Sequence, residues 1–137
     1  MKVYITARFK GASEQREAIE AMCRAVREAG MEDFCFIRDI EHYSNFFDDP
    51  RELWQRSRDE LRSCDALLID ASDLPTTGRV IEAGMAYAWG LPIFVLAQHG
   101  IEYKDAYDGI AACVIRYESL SDVTAQLKEY LKETTTQ

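Results

Sequence analysis

Five short apolar runs, separated by segments of helical period, set the strongest limit on what this chain can fold into. The runs are KVYIT at 2–6, DFCFI at 33–37, DALLIDA at 65–71, LPIFVLA at 91–97 and AACVIRY at 111–117. They are largely continuous in apolar character rather than alternating, as strands covered on both faces are. After the first run comes ASEQREAIEAMCRAVREAG. Its Ala18, Ile19, Met22, Cys23 and Val26 recur at helical spacing, and Gly30 ends it. DPRELWQRSRDELRSC leads into the third run. It opens with Asp49 as N-cap, Pro50 at the first helical position and Glu52 completing a capping-box-like pattern. TGRVIEAGMAYAWG predicts a third helix, and SLSDVTAQLKEYLKE a fourth, capped by Ser119 or Ser121. The segment 38–48 has no clear period and reads as a loop, as does QHGIEYKDAYDG, with room for a helical turn.

Strands alternating with helices predict a parallel sheet covered on both faces. The expected fold class is α/β, five-stranded and flavodoxin-like or Rossmann-like, with strand order 2-1-3-4-5. The 137 residues hold no repeat and no linker, which fits one domain over 1–134 with 135–137 as a frayed tail.

The net charge of -8, with 16 scattered Lys and Arg, argues against a nucleic-acid partner, which needs a clustered basic face. Small molecules or other proteins remain. The cysteines, Cys23, Cys35, Cys64 and Cys113, form no C-x-x-C pair and read as buried thiols in a reducing compartment. No charged-then-apolar leader opens the sequence and no apolar run is long enough for a bilayer, so the expectation is cytoplasmic, with no membrane partner. His42 and His99 lie far apart without ligand spacing, and no metal or cofactor is expected.

In a sheet of this order, ligands bind beyond the carboxyl ends of the strands, near the switch between strands 1 and 3. After strand 1 the sequence reads TARFKG. Arg8, Lys10 and Gly11 before a helix start make either an anion site or solvated charge beside a turn glycine. The loop is neither G-x-G-x-x-G nor a Walker A, so neither a dinucleotide nor a nucleoside triphosphate is indicated. After strand 3 comes DASDLPTTGRVIEAG. Pro75 sets the turn, Thr76 or Thr77 caps the helix, and Gly78 permits close approach of a ligand. Glu82 follows one turn later, among Ala83, Gly84, Ala86 and Ala88, small residues that let the helix lie flat on the sheet. A carboxylate buried there is costly unless it is paired or used. It is either an ion-pair partner of Arg79, three residues earlier, or a nucleophile or general base. Asp59, on the charged helix before strand 3, is either a solvated residue or a second acid, and Asp70 and Asp73 follow the strand.

From Asp59 to Leu96 most firmly, and over nearly the whole chain, the arrangement resembles the nucleoside 2-deoxyribosyltransferase family, within it the branch of 2′-deoxynucleoside 5′-monophosphate N-glycosidases. RDELRSCDALLIDASDLPTTGRVIEAGMAYA carries the likeness: an acid before the strand, a Pro-Thr turn, a glycine and Glu-x-Gly-x-Ala. The resemblance implies Glu82 as nucleophile, Asp59 as the assisting acid, Tyr4 beside sugar and nucleophile, and Thr76 and Lys10 on the 5′-phosphate. It also implies a homodimer with shared active sites. Leu53, Trp54, Leu61, Tyr87 and Trp89 offer apolar surface for such a pairing. Arg79 departs from the family's G-x-G, Ala7 and Arg8 from its usual small pair, and 98–108 gives no match for the residue a partner supplies, with Tyr103, Lys104 and Tyr107 as candidates. The implied activity is N-glycosidic cleavage of a deoxynucleotide through a glycosyl-Glu82 ester. The alternatives are base exchange on free deoxynucleosides and a nucleotide-binding sensor without turnover.

Overall fold

The computed structural model describes residues 1–9, 11–72, 76–103 and 105–135. Strands β1 (Lys2–Thr6), β2 (Glu32–Cys35), β3 (Ala66–Asp70), β4 (Ile93–Gln98) and β5 (Cys113–Tyr117) form one sheet in the order β2-β1-β3-β4-β5. All four pairings are parallel, with Tyr4 opposite Phe34 on one side and Leu67 on the other. The helices are α1 (Ser13–Glu28), α2 (Phe36–Asp39), α3 (Pro50–Arg62), α4 (Thr77–Ala88) and α5 (Leu120–Thr135), with a 3₁₀ turn at Asp105–Gly109. The expected α/β class and strand order both stand.

Alternate residues of each strand feed two separate cores, because successive side chains leave a strand on opposite faces. Val3, Ile5, Leu68, Phe94 and Leu96 pack with Ile19, Met22 and Val26 of α1 and Val123 and Leu127 of α5. Tyr4, Leu67, Ile69, Ile93 and Val95 pack on the other face with Leu61 of α3 and Ala83 and Ala86 of α4. The period of two is invisible in the sequence because both faces are apolar.

The helix ends follow local chemistry. The Asp49 carboxylate accepts the Arg51 N–H at 2.9 Å, and Pro50 occupies the first turn. Gly30, at φ +90°, turns the chain after α1. Ser119 stands just before α5, but the capping acceptor there is Asp122, whose carboxylate takes the Glu118 and Ser119 N–H groups at 3.0 and 3.2 Å. The second strand is shorter than its apolar run. At Phe36 the chain turns into α2, where Asp39 accepts the Cys35 N–H at 2.9 Å and Arg38 bridges Asp33 and Asp39. These local bonds outcompete sheet pairing for residues 36 and 37. Cys23, Cys35 and Cys64 are buried free thiols, and Cys113 is half-buried. No helix among the described residues is long and apolar enough to cross a membrane.

Leu68 lies at the centre of β3 with no exposed surface. Leu68→Ala is expected to destabilise the fold by about 3 kcal/mol, read from urea unfolding monitored by circular dichroism.

Candidate active site

The two-face alternation aims Tyr4 and Thr6, at the carboxyl end of β1, toward α3 and α4. These helices, α2 and the loop after β1 line a cavity of about 280 Å³. Its polar lining is Tyr4, Thr6, Arg8, Ser57, Thr76, Arg79 and Glu82, and Phe9, Phe36, Ile37, Leu53 and Trp54 give it an apolar wall. A single small molecule with one polar end and one flat apolar end fits such a lining.

Glu82 is 7% exposed. The Thr6 hydroxyl donates to Glu82 Oε1 at 2.8 Å. The Tyr4 hydroxyl lies 3.1 Å from Ser57 Oγ in the same cavity lining. Burial pushes the Glu82 carboxyl up to about 7, while the hydroxyls of Tyr4 and Thr6 and the charge of Arg79 favour its ionised form. The Tyr4 phenol is pushed far above its ordinary range by its own burial and then by the charge of Glu82, so it stays protonated as a donor.

Thr76 is the N-cap of α4; its Oγ1 accepts the Arg79 N–H at 3.4 Å. Arg79 is buried at 3% exposure, with Nη1 donating to the Asp70 carbonyl at 2.5 Å and Nε to Thr76 Oγ1 at 3.3 Å. Those bonds fix the guanidinium at the end of β3. Arg8 and Arg79 both line the main cavity and an adjoining hollow of about 140 Å³ that Gln15 and Asp70 also border. Two arginines and a helix N-terminus therefore meet at one end of the cavity, a setting for an anion.

Of the residues singled out from the sequence, Tyr4, Arg8, Thr76, Gly78, Arg79 and Glu82 meet at this cavity. A Cβ on Gly78 would lie 3.9 Å from the Trp54 ring, so the glycine leaves space on the cavity side rather than relieving a clash. Gly11 is exposed at φ +90° and turns the loop before α1 without lining the cavity. The helix N-terminus that faces the cavity is that of α4, not α1. Lys10, Asp73, Pro75 and Lys104 lie outside the described residues. Asp59 is a correction: its side chain is 66% exposed beside Arg58, and it does not line the cavity. Two residues on a helix turn about 200°, so with Ser57 facing inward Asp59 faces water. Gly84 and Ala88 are likewise exposed on the outer side of α4, and only Ala83 and Ala86 meet the sheet. Tyr103 donates to Asp108, and Tyr107 packs in the core on this face of the sheet; neither lines the cavity.

Sequence reading passed over Thr6, Ser57 and the aromatic wall. Two signals were available. Thr6 shares the face of Tyr4 two residues on, and Ser57 interrupts an apolar stripe of Leu53, Ser57 and Leu61 at spacing i, i+4, i+8. Phe9 is held from behind by Tyr43, their ring centroids 5.3 Å apart. Tyr43 and His42 take left-handed backbone at φ 61° and 50°, which no sequence period announces. Among the described residues, no group of three or more His, Cys, Asp or Glu is placed to hold a metal ion.

Raising the folded pKa of Glu82 above its unfolded value gives stability that is present below pH 4.5 and is lost as pH rises through about 7. Glu82→Gln, neutral at every pH, is therefore expected to exceed the parent protein in stability by roughly 3 kcal/mol at pH 8 and to match it near pH 4.5. Urea titrations at the two pH values read the difference.

No family model matches the sequence, and no curated protein matches it. Solved structures do. A CMP N-glycosidase of Clostridium botulinum, BcmB, is 21% identical, with 95% of this chain and 99% of that one covered and a TM-score of 0.69. A 2-deoxyribosyltransferase of Bacillus psychrosaccharolyticus is 18% identical over 93% and 96% of the two chains, with a TM-score of 0.71. A conserved protein of Enterococcus faecalis is 15% identical over 94% and 98%, with a TM-score of 0.77. The chain thus shares its whole fold, end to end, with a nucleotide N-glycosidase and a deoxyribosyltransferase of known structure.

Proposed function

We propose that the chain is an N-glycosidase that cleaves the base–sugar bond of nucleoside 5′-monophosphates, with the 2′-deoxy class as substrate. One observation carries the reading: a buried carboxylate lining the cavity, Glu82, held by the Thr6 hydroxyl, one turn after Arg79 at a helix N-terminus and sharing the cavity with Arg8. The arginines, Thr76 and the first N–H groups of α4 hold the phosphate. The apolar wall of Phe9, Phe36 and Trp54 receives the base. Glu82 then lies under C1′ of the sugar between them.

Ionised Glu82 attacks C1′ as the bond from C1′ to the base nitrogen breaks, through an oxocarbenium-like transition state. The base leaves with the bonding electron pair and takes its proton from solvent. Water then cleaves the glycosyl ester, giving the free sugar phosphate and restoring Glu82. Thr6 holds the carboxylate at a fixed angle throughout. The resemblance to the nucleoside 2-deoxyribosyltransferase family and the fold shared with two enzymes of nucleoside chemistry support the same reaction class. If a second free base replaces water at the ester, the same residues perform base exchange.

Incubation with each deoxynucleoside monophosphate, followed by chromatography, is expected to show free base, and none with Glu82→Ala. Because Glu82 must be ionised to attack, kcat/KM should rise with pH and level off above a midpoint near 7. A new nucleoside formed only from a deoxynucleoside plus a foreign base assigns exchange instead. Nucleotide binding without any product assigns a sensor.

The working form is proposed as a homodimer. The outer face of α4 exposes Val80 at 53%, Ile81 at 40% and Tyr87 at 60%, and Trp54 and Met85 border a shallow hollow beside it. This apolar face adjoins the cavity through Trp54, so a second copy seated there closes the open side of the site. Light scattering is expected to give twice the chain mass, and Tyr87→Glu to give the monomer and reduce turnover. A monomeric parent protein with full turnover contradicts the shared site.

A further inference from the structure

Among the described residues, His42 and Tyr43 are the two that take left-handed backbone without being glycine, at φ 50° and 61°. For a bulky aromatic residue that conformation is an outlier, and it persists only where the surroundings over-determine it. Tyr43 is held at four points. Its N–H donates to the Ile37 carbonyl at 2.9 Å. Its hydroxyl donates to Glu20 Oε1 of α1 at 2.7 Å, and burial pushes the phenol up, so it keeps the proton for that bond. The Arg16 guanidinium, one turn before Glu20 on α1, lies 4.4 Å from the ring centroid. The Phe9 ring meets the Tyr43 ring at 65°, in an edge arrangement. Tyr43 itself does not line the cavity, but Phe9 and Ile37 both do. Its two other partners belong to α1, which contributes nothing to that lining.

Phe9 needs such support. It lies beyond the last paired residue of β1, Thr6, so no sheet ladder fixes its backbone. An aromatic side chain on a free loop must be ordered each time a base stacks on it, and that ordering cost is subtracted from affinity. Tyr43 ties the loop to a rigid helix on the far side, and its strained backbone also clamps Ile37 of the same wall. We infer that Tyr43 is a positioning residue for base recognition, holding Phe9 ready for the base with Glu20 and Arg16 of α1 as its anchor. The inference rests on the N-glycosidase reading above, in which this wall receives the base. A wall that is ordered beforehand favours bound substrate and transition state alike, so its effect falls on KM and not on kcat. The phosphate end of the site does not depend on it.

Tyr43→Gly is the informative variant. Glycine accepts the left-handed backbone without strain and keeps the N–H for Ile37, so only the ring is lost. KM for deoxynucleoside monophosphates is expected to rise about tenfold with kcat unchanged, the upper worth of an aromatic pair. Tyr43→Phe keeps the ring, loses the bond to Glu20, and should stay within about threefold of the parent protein. In a Phe9→Ala background Tyr43→Gly should add almost nothing, because the ring acts through Phe9. Calorimetry with 2-deoxyribose 5-phosphate, which has no base, should give the same affinity in parent and variants, and thermal melting confirms that each is folded. An unchanged KM in Tyr43→Gly overturns the inference. So does an additive double mutant, or an equal loss of affinity for the base-free sugar phosphate, which marks general damage to the site. All three results leave the N-glycosidase reading intact as long as the parent protein releases base. If it cleaves no nucleotide, that reading falls, and calorimetry alone decides on Tyr43. Nucleotide binding weakened in Tyr43→Gly, with sugar phosphate binding unmoved, keeps its role. Any other pattern, or no binding, overturns it.

Discussion

The site depends on one buried carboxylate held against the end of a strand. Glu82 enters the protein on a helix whose inner face is otherwise small and apolar, and it meets Thr6 and Tyr4 of β1. Burial disfavours its charge, and the two hydroxyls and Arg79 favour it. The balance leaves a group that changes charge close to neutrality, where a nucleophile can be both available and reactive. The surrounding architecture serves that balance. The parallel sheet brings β1 and β3 side by side, so the helix after β3 can lay its first two turns over the end of β1. The helix cap at Thr76 and the bond from Arg79 to the Asp70 carbonyl fix the angle at which α4 leaves the sheet.

The second constraint is the division of labour between the two faces of the sheet. The face covered by α1 and α5 is built of apolar packing. The face covered by α3 and α4 also carries polar groups, which converge at the strand ends: Tyr4, Thr6, Ser57, Arg79 and Glu82. Each is placed so that another protein group meets its hydrogen-bonding atoms. Ser57 meets Tyr4, Thr6 meets Glu82, and Arg79 meets Asp70 and Thr76. This is how a cavity can keep polar chemistry at low exposure without the full cost of burying it.

The loss of Asp59 from the site changes the chemistry expected of it. A site with a second carboxylate can protonate its leaving group directly. Here the corresponding face of α3 presents a serine, and the acid two residues later faces water. The proposed mechanism accordingly puts the demand on Glu82 as nucleophile and on stabilisation of the sugar cation, and leaves the proton of the base to solvent.

The sequence by itself determined the fold class, the strand order and the position of Glu82. Those rest on local signals: continuous apolar runs, helix caps at Asp49 and Thr76, a turn glycine at Gly30, and a carboxylate within a run of small residues. Tertiary structure alone decided which polar side chains share a space. The phase of α3 chose Ser57 over Asp59; the stripe of Leu53, Ser57 and Leu61 marks the inward face in the sequence, but only the fold shows that this face meets Tyr4 and the cavity. The pairing of Thr6 with Glu82 joins residues 76 positions apart, and no local propensity encodes it. The aromatic wall was hidden for a related reason. Phe36 and Ile37 continue an apolar strand in sequence, but the carboxylate of Asp39 and the ion pairs of Arg38 turn them out of the sheet and over the cavity. Local chemistry thus fixed the elements, and only the crossing of β1, α3 and α4 brought these particular atoms within bonding distance.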